Sequence, residues 1–205
     1  MPKYITPAAP KSRPAPPTGP RWQHEVKFDG WRLQVHKYRD EVALLSRNGF
    51  DITGRAPEVA RAAASLRATS FLIDAELVAS NEHGRPDFKA LMFRRRSGRC
   101  AVCFDLMFLN GLDLRSRPLI ERTGQLRALL AGAGDALVVS EAFGDASALL
   151  AECERLGLEG IVSKRIDQPY RSGSHTDWIK VKTAAWRAAN RHRAEMFATK
   201  KKTKR

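Results

Sequence analysis

The chain has 205 residues, one domain's worth, and carries 36 Lys and Arg against 22 Asp and Glu, for a net charge of +14. Hydrophobic residues make up 43% of it, enough to fill a core, which excludes a wholly disordered chain. No apolar run approaches the ~20 residues of a membrane span, and the N-terminus lacks a continuous apolar stretch, so membrane insertion and secretion by a standard signal are set aside.

Seven of the 11 prolines fall in the first 20 residues, and residues 1–21 carry four cations and no acid. This segment is expected to be an extended, flexible basic arm. The folded part is expected to begin at Trp22. WQHEVKF and WRLQVHKYR read as two strands joined by a tight turn at Asp29–Gly30. VALLSR (42–47) is a third strand, closed by Asn48–Gly49. APEVARAAASL (56–66) is a short helix with Pro57 in its first turn, and FLIDAELVAS (71–80) a strand that ends in the polar turn NEHGRP.

A helix over 87–95, a strand over 100–109 and a second Asn–Gly turn at 110–111 follow. PLIERTGQLRALLAG (118–132) has helical spacing, weakened by Gly124. ALVVSEA is a strand, DASALLAECERLG a helix capped by Asp145 and ended by Gly157, and EGIVSKR and DWIKVK (177–182) are further strands. After them TAAWRAANRHRAEMFA reads as one helix with Trp186, Ala189, Met196 and Phe197 along one side. Many turn-linked strands with interspersed helices indicate an α+β domain built on antiparallel sheets.

Residues 183–205 carry eight cations and one acid, which with the arm leaves an excess of only three on residues 22–182. Basic arms bind polyphosphates by releasing counterions, so nucleic acid leads the partner classes, although KKKTKR at 200–205 also reads as a solubilising tail. The three cysteines, Cys100, Cys103 and Cys153, suggest a reducing compartment rather than a disulfide framework. CAVC at 100–103 lies in an apolar strand with no second pair to complete a zinc site, so these read as packing residues. His24, His36, His83, His175 and His192 show no metal spacing.

The chemistry concentrates in a few segments. In EVKFDGWR (25–32) Lys27 lies at a strand end, where its amine becomes a nucleophile if neighbouring cations or burial lower its pKa; taken alone, the motif reads first as a solvated hairpin lysine. IDAEL (73–77) puts Asp74 and Glu76 on one strand face, as a ribose or Mg²⁺ site or as a surface ion pair. LEGIVSKR (158–165) supplies Glu159 and Lys164, and WIKVK (178–182) sets Lys180 and Lys182 on one face, spaced for successive phosphate oxygens.

KFDGWR, SRNGFDIT, DAEL, CFDLMFLNGLDLRSRPLIER, EGIVSKR with PYRSG, and WIKVK stand in the order of the nucleotidyltransferase motifs. From about residue 22 to 182 the chain resembles the adenylation domain of an ATP-dependent DNA ligase, most of all the bacterial end-joining ligase D type. The resemblance implies a nucleotidyltransferase (ATP-grasp-like) fold of antiparallel sheets with flanking helices. It implies that Lys27 attacks the α-phosphate of ATP to form lysyl–AMP, with Glu25 near the adenine and Phe104 stacked on it. Arg32 and Glu76 would contact the ribose, Arg47 a phosphate, and Lys180 and Lys182 the α-phosphate, while Glu76 and Glu159 would serve Mg²⁺ or Mn²⁺. Lys164 is a weaker candidate.

AMP would then pass to a DNA 5′-phosphate, and a 3′-OH would seal the nick, in repair and end joining in a bacterial cytoplasm at the nucleoid. The pattern departs from the family in three places. Ala75 stands where motif III has glycine, RSGSH (171–175) lacks an arginine common after the glycine, and the 23 residues after WIKVK are too few for the OB-fold that usually follows. An OB-fold module or an end-binding protein acting in trans is therefore expected beside DNA. The competing readings are an RNA ligase or capping-type nucleotidyltransferase, and a non-catalytic module that binds AMP or nucleic-acid ends.

Overall fold

Period-2 strands dominate the chain, and they sort into two sheets rather than one. The computed structural model describes residues 4–79 and 98–191. Its strands are β1 (Ala8–Ser12), β2 (Trp22–Lys27), β3 (Trp31–Tyr38), β4 (Glu41–Ser46), β5 (Ser70–Ala79), β6 (Arg99–Leu109), β7 (Leu112–Asp113), β8 (Leu137–Val139), β9 (Gly160–Arg165) and β10 (Gly173–Lys182). The helices are α1 (Pro57–Ser65), α2 (Leu119–Leu130), α3 (Ala146–Arg155) and α4 (Ala184–Ala189). The first sheet runs β1-β10-β9-β2 and the second β4-β3-β5-β6-β7, with β8 also on β6. Pairing is antiparallel except for β1 with β10 and β8 with β6.

Alternation along the strands explains the layering. On β5, Phe71 and Ile73 pack with α1 and α2 residues such as Val59 and Leu126, while Leu72 between them faces the other way and meets Met107, Tyr170 and Trp178. On β10, Trp178 joins that inner cluster, while Val181 packs with Leu149 and Cys153 of α3. The order of layers is thus α1 and α2, the second sheet, the first sheet, then α3. Buried charge is paired: Arg122 of α2 makes two hydrogen bonds to Asp105 of β6, at 2.7 and 2.8 Å, with both side chains 0% exposed.

Local signals hold at most element ends. Asp145 accepts from the Ser147 and Ala148 amides and caps α3, and Gly157 follows the helix at φ 68°. Asn110 and Gly111, both at positive φ, turn β6 into β7.

Two expectations need correction. β2 and β3 do not form a hairpin: Asp29–Gly30 carries the chain from one sheet to the other. A Cβ on Gly30 would lie 2.3 Å from the Leu77 carbonyl oxygen, so glycine is there for a close backbone approach to β5. The N-terminal arm is not uniformly flexible either, because residues 8–12 form β1. It is an edge strand, where proline is tolerated, and its register shifts between Pro10 and Lys11. The expected helix over 87–95, the NEHGRP turn, His83, His192, the KKKTKR tail and the Met196–Phe197 end of the last helix lie outside the described residues.

Candidate active site

The site forms where the two sheets meet, and strand register brings its parts together. In the first sheet Gly160 pairs with Lys27 on one side and Lys182 on the other, so the preceding residue, Glu159, sits between two lysines. Its Oε2 accepts from Lys27 Nζ at 2.6 Å and its Oε1 pairs with Lys182 Nζ at 2.8 Å. A Cβ on Gly160 would lie 2.0 Å from the Val181 carbonyl oxygen, so this approach of β9 to β10 also requires glycine. In the second sheet Arg32 pairs with Glu76. Three residues, Phe28–Gly30, join the two halves, and the Gly30 amide donates to Glu76.

Between the sheets lies a pocket of about 620 Å³, lined by Lys27, Arg32, Arg47, Glu76, Glu159, Lys180 and Lys182 among others. It continues into a narrower pocket of about 70 Å³ that shares Lys27, Arg32 and Glu76 and adds Glu25, Phe104, Lys164 and Trp178. Of the eleven residues singled out from the sequence, all but Asp74 line these two adjoining pockets. Burial pushes the Glu76 carboxyl up to about 7, against the pull of Arg32 and Lys27. Burial, then the charges of Lys27 and Lys182, lower the Lys180 amine below its ordinary range.

One placement differs from the sequence reading. Asp74, 0% exposed, does not share the cleft with Glu76; it accepts from Arg32 Nε and Nη2 at 2.6 and 2.7 Å. It cannot hold a metal without releasing that arginine. Glu25 is held by Lys164 at 2.7 Å and Gln23 at 2.8 Å. Lys164 Nζ lies 4.4 and 4.5 Å from the ring centroids of Phe104 and Trp178, and burial lowers its amine despite Glu25. Arg32 stacks over Phe104 at 4.6 Å.

Sequence reasoning missed Trp186, whose ring carries Lys182 Nζ 3.7 Å from its centroid, and Tyr170, for which PYRSG was the available signal. It also missed Pro7–Pro10, which line the larger pocket, because a proline-rich stretch hides an edge strand. Cys100, Cys103 and Cys153 are free thiols that burial pushes up, as packing residues should be. His36 is fully buried and hydrogen-bonded to Gln34.

Residues 17–182 match the family described as ATP dependent DNA ligase domain. The chain belongs to this family. The domain is 42% identical over 188 residues to the multifunctional non-homologous end joining protein LigD of Pseudomonas aeruginosa, which covers 89% of this chain and 22% of that protein. A probable DNA ligase of Beutenbergia cavernae is 38% identical over 172 residues, covering 77% of this chain and 33% of the relative. The chain thus spans a third or less of the length of these relatives.

Among solved structures, mycobacterial DNA ligase D complexed with ATP and MES superposes on the domain with a TM-score of 0.75 at 29% identity, over 87% of this chain and 60% of that one. The α+β nucleotidyltransferase fold is therefore established. An archaeal ATP-dependent RNA ligase, at 19% identity and a TM-score of 0.51, shares the fold alone.

Proposed function

We propose that this domain is the catalytic core of an ATP-dependent DNA ligase, self-adenylating on Lys27. The observation that carries the reading is the Glu159 carboxylate bridging Lys27 and Lys182 in the lining of a pocket that also holds Glu76, Lys180, Arg32 and Arg47. Phosphoryl and nucleotidyl transfer require a nucleophile in line and positive charge around one phosphorus, and this cleft supplies both.

In this reading Lys27 gives up a proton, for which Glu159 Oε2 is the acceptor in reach. Its nitrogen lone pair then forms the bond to the α-phosphorus, and the bond to the bridging oxygen breaks, so that pyrophosphate leaves with the electron pair. Lys180 and Lys182 neutralise charge on the α-phosphate, Arg47 binds a phosphate, Arg32 and Glu76 hold the ribose, and Glu25 and Phe104 receive the adenine. AMP passes from Lys27 to a DNA 5′-phosphate, and the 3′-OH displaces it.

Among the described residues no cluster of three or more His, Cys, Asp or Glu could cage a metal. Two carboxylates, Glu76 and Glu159, fit a divalent ion that completes its shell with water and nucleotide phosphates, as Mg²⁺ does. Mg²⁺ or Mn²⁺ held there would offset phosphate charge in the transition state. The partners in this reading are nicked or broken DNA and an OB-fold module or end-binding protein acting with the domain, in bacterial end joining in the cytoplasm at the nucleoid. In this reading the adenylation domain is 22–182 completed by β1 from the basic segment 1–21, and a helix with a basic tail follows at 183–205. Among the described residues no helix is long and apolar enough to cross a membrane.

The test is incubation with α-labelled ATP and Mg²⁺ or Mn²⁺, followed by denaturation. Acid-labile label on the chain, absent in Lys27→Ala and discharged by pyrophosphate or nicked DNA, is the expected result. Discharge by RNA ends in preference to DNA ends would move the domain to the RNA ligases. A folded protein, free of bound AMP, that takes no label from any nucleotide would remove the enzymatic reading.

A further inference from the structure

Four groups close a ring of hydrogen bonds behind Arg32. The Ala8 amide donates to Tyr170 Oη at 2.9 Å, and the Tyr170 hydroxyl donates to Asp74 Oδ2 at 2.7 Å. Arg32 donates to both Asp74 oxygens, and its Nη2 also reaches the Ala8 carbonyl at 3.3 Å. Ala8, Asp74 and Tyr170 are 2%, 0% and 7% exposed. The ring therefore closes away from water, where each hydrogen bond costs most to lose.

The ring also spans the molecule. Ala8 lies on β1 and Tyr170 just before β10, on the first-sheet side, whereas Arg32 and Asp74 lie on β3 and β5 of the second sheet. β1 is anchored to the second sheet as well. Gln34 bonds both the amide and the carbonyl of Ile5, and Tyr4 donates to the Arg47 carbonyl. Ala8 is thus a fixed reference point, and it precedes the stretch, 17–182, that matches the family.

The consequence falls on Arg32. Asp74 and Ala8 take its Nε and Nη2, and among the described residues no hydrogen-bond partner takes Nη1. Arg32 lines both pockets, so Nη1 is the donor left for a bound molecule. The direction in which it offers that donor depends on the orientation of the Asp74 carboxylate, which the Tyr170 hydroxyl holds from the far side.

We propose that Tyr170, together with the Ala8 peptide of β1, is a positioning residue for Arg32 and sets how strongly the domain selects a nucleotide with an intact ribose. This deepens the nucleotide-transfer reading above and rests on it. Tyr170→Phe removes one hydroxyl. It keeps the ring that packs edge-on to Trp178 at 6.1 Å and under the Arg122 guanidinium at 5.9 Å. The Asp74 carboxylate is then free to turn, and Arg32 turns with it.

The experiment measures self-adenylation of the full chain and of Tyr170→Phe with ATP, 2′-deoxy-ATP and 3′-deoxy-ATP. The native chain is expected to prefer ATP over at least one of the deoxynucleotides. In Tyr170→Phe the KM for ATP should rise about five- to tenfold, which is the loss of one hydrogen bond worth about 1–1.4 kcal/mol. The KM for the disfavoured deoxynucleotide should hardly change, and kcat should stay within about twofold, so that the preference collapses. A general loosening of the fold would raise all three KM values together, and that result overturns the proposal. An unchanged preference in Tyr170→Phe, or no preference in the native chain, overturns it too. If circular dichroism shows that Tyr170→Phe does not fold, Ala8→Pro opens the same ring by deleting the donor, and it must give the same collapse. A folded native chain that forms no adduct with any nucleotide overturns the nucleotide-transfer reading itself, an outcome distinct from an adduct formed with unaltered selectivity.

Discussion

Glu76 carries a proton in the metal-free protein over a range where most carboxylates do not, because burial pushes its carboxyl from 4.5 up to about 7. The unfolded chain ionises this group near 4.5 and the folded chain only near 7. Between those values the native state binds more protons, and stability falls as pH rises. The contribution is full below about pH 4.5 and lost once pH passes 7, on the order of 3 kcal/mol at ~1.4 kcal/mol per pKa unit. Glu76→Gln keeps the shape and an acceptor for the Gly30 amide but cannot ionise. Its urea midpoint should match the native chain's at pH 4 and exceed it at pH 8. Equal pH slopes for the two proteins would show that Glu76 titrates normally. IDAEL offers Asp74 and Glu76 as equals. What separates them is Arg32, 42 residues from Asp74 in the chain, and Tyr170, 96 residues away, and spacing within one strand carries no trace of either.

At the level of elements, the span and type of most strands and helices were legible because hydrophobic period and capping are local. α1, α3 and β9 begin and end within a residue or two of where Pro57, Asp145, Gly157 and the EGIVSKR run put them. Sheet membership was not legible. Asp–Gly between two alternating runs is a hairpin signal, and only the competing pairing of β2 with β9 and of β3 with β5 breaks it. The crossover depends on Gly30 having no side chain. Gly30→Ala drives a methyl into the Leu77 carbonyl and should cost about 2–3 kcal/mol, the scale of overpacking, with a matching fall in the denaturation midpoint. Self-adenylation should fall with it, because Lys27 and Glu76 are registered through this turn. Gly124→Ala is the counterpart: nothing lies within 4 Å of its Cβ in mid-α2, so it should gain about 0.5–1 kcal/mol. Similar losses for both variants would mean that close approach is not what Gly30 serves.

Over the whole molecule, charge and catalysis are separated along the chain. The order of the motifs from Lys27 to Lys182 made the cleft legible before its geometry was known, since the two pockets together need contributions from β2, β3, β5, β9 and β10. Most of the excess positive charge lies instead in residues 1–21 and 183–205, and sequence alone does not separate a solubilising tail from a DNA-binding one. Salt dependence does. Each phosphate neutralised by a lysine or arginine contributes about 0.9 to the slope of log K against log salt on duplex DNA. Residues 192–205 hold six Lys and Arg. Replacing all six with Gln should reduce that slope by up to about 5 in a nicked-duplex titration, the full amount if every one of them meets a phosphate. Self-adenylation without DNA should stay within about twofold of the native rate, because the replacement leaves every cation placed in the cleft, from Lys27 to Lys182, untouched. An unchanged slope would assign the tail to solubility and leave DNA contact to the cleft and to the basic residues of the arm. A reduced slope with a reduced adenylation rate would mean that the tail acts on the cleft itself, which the separation of charge from catalysis forbids.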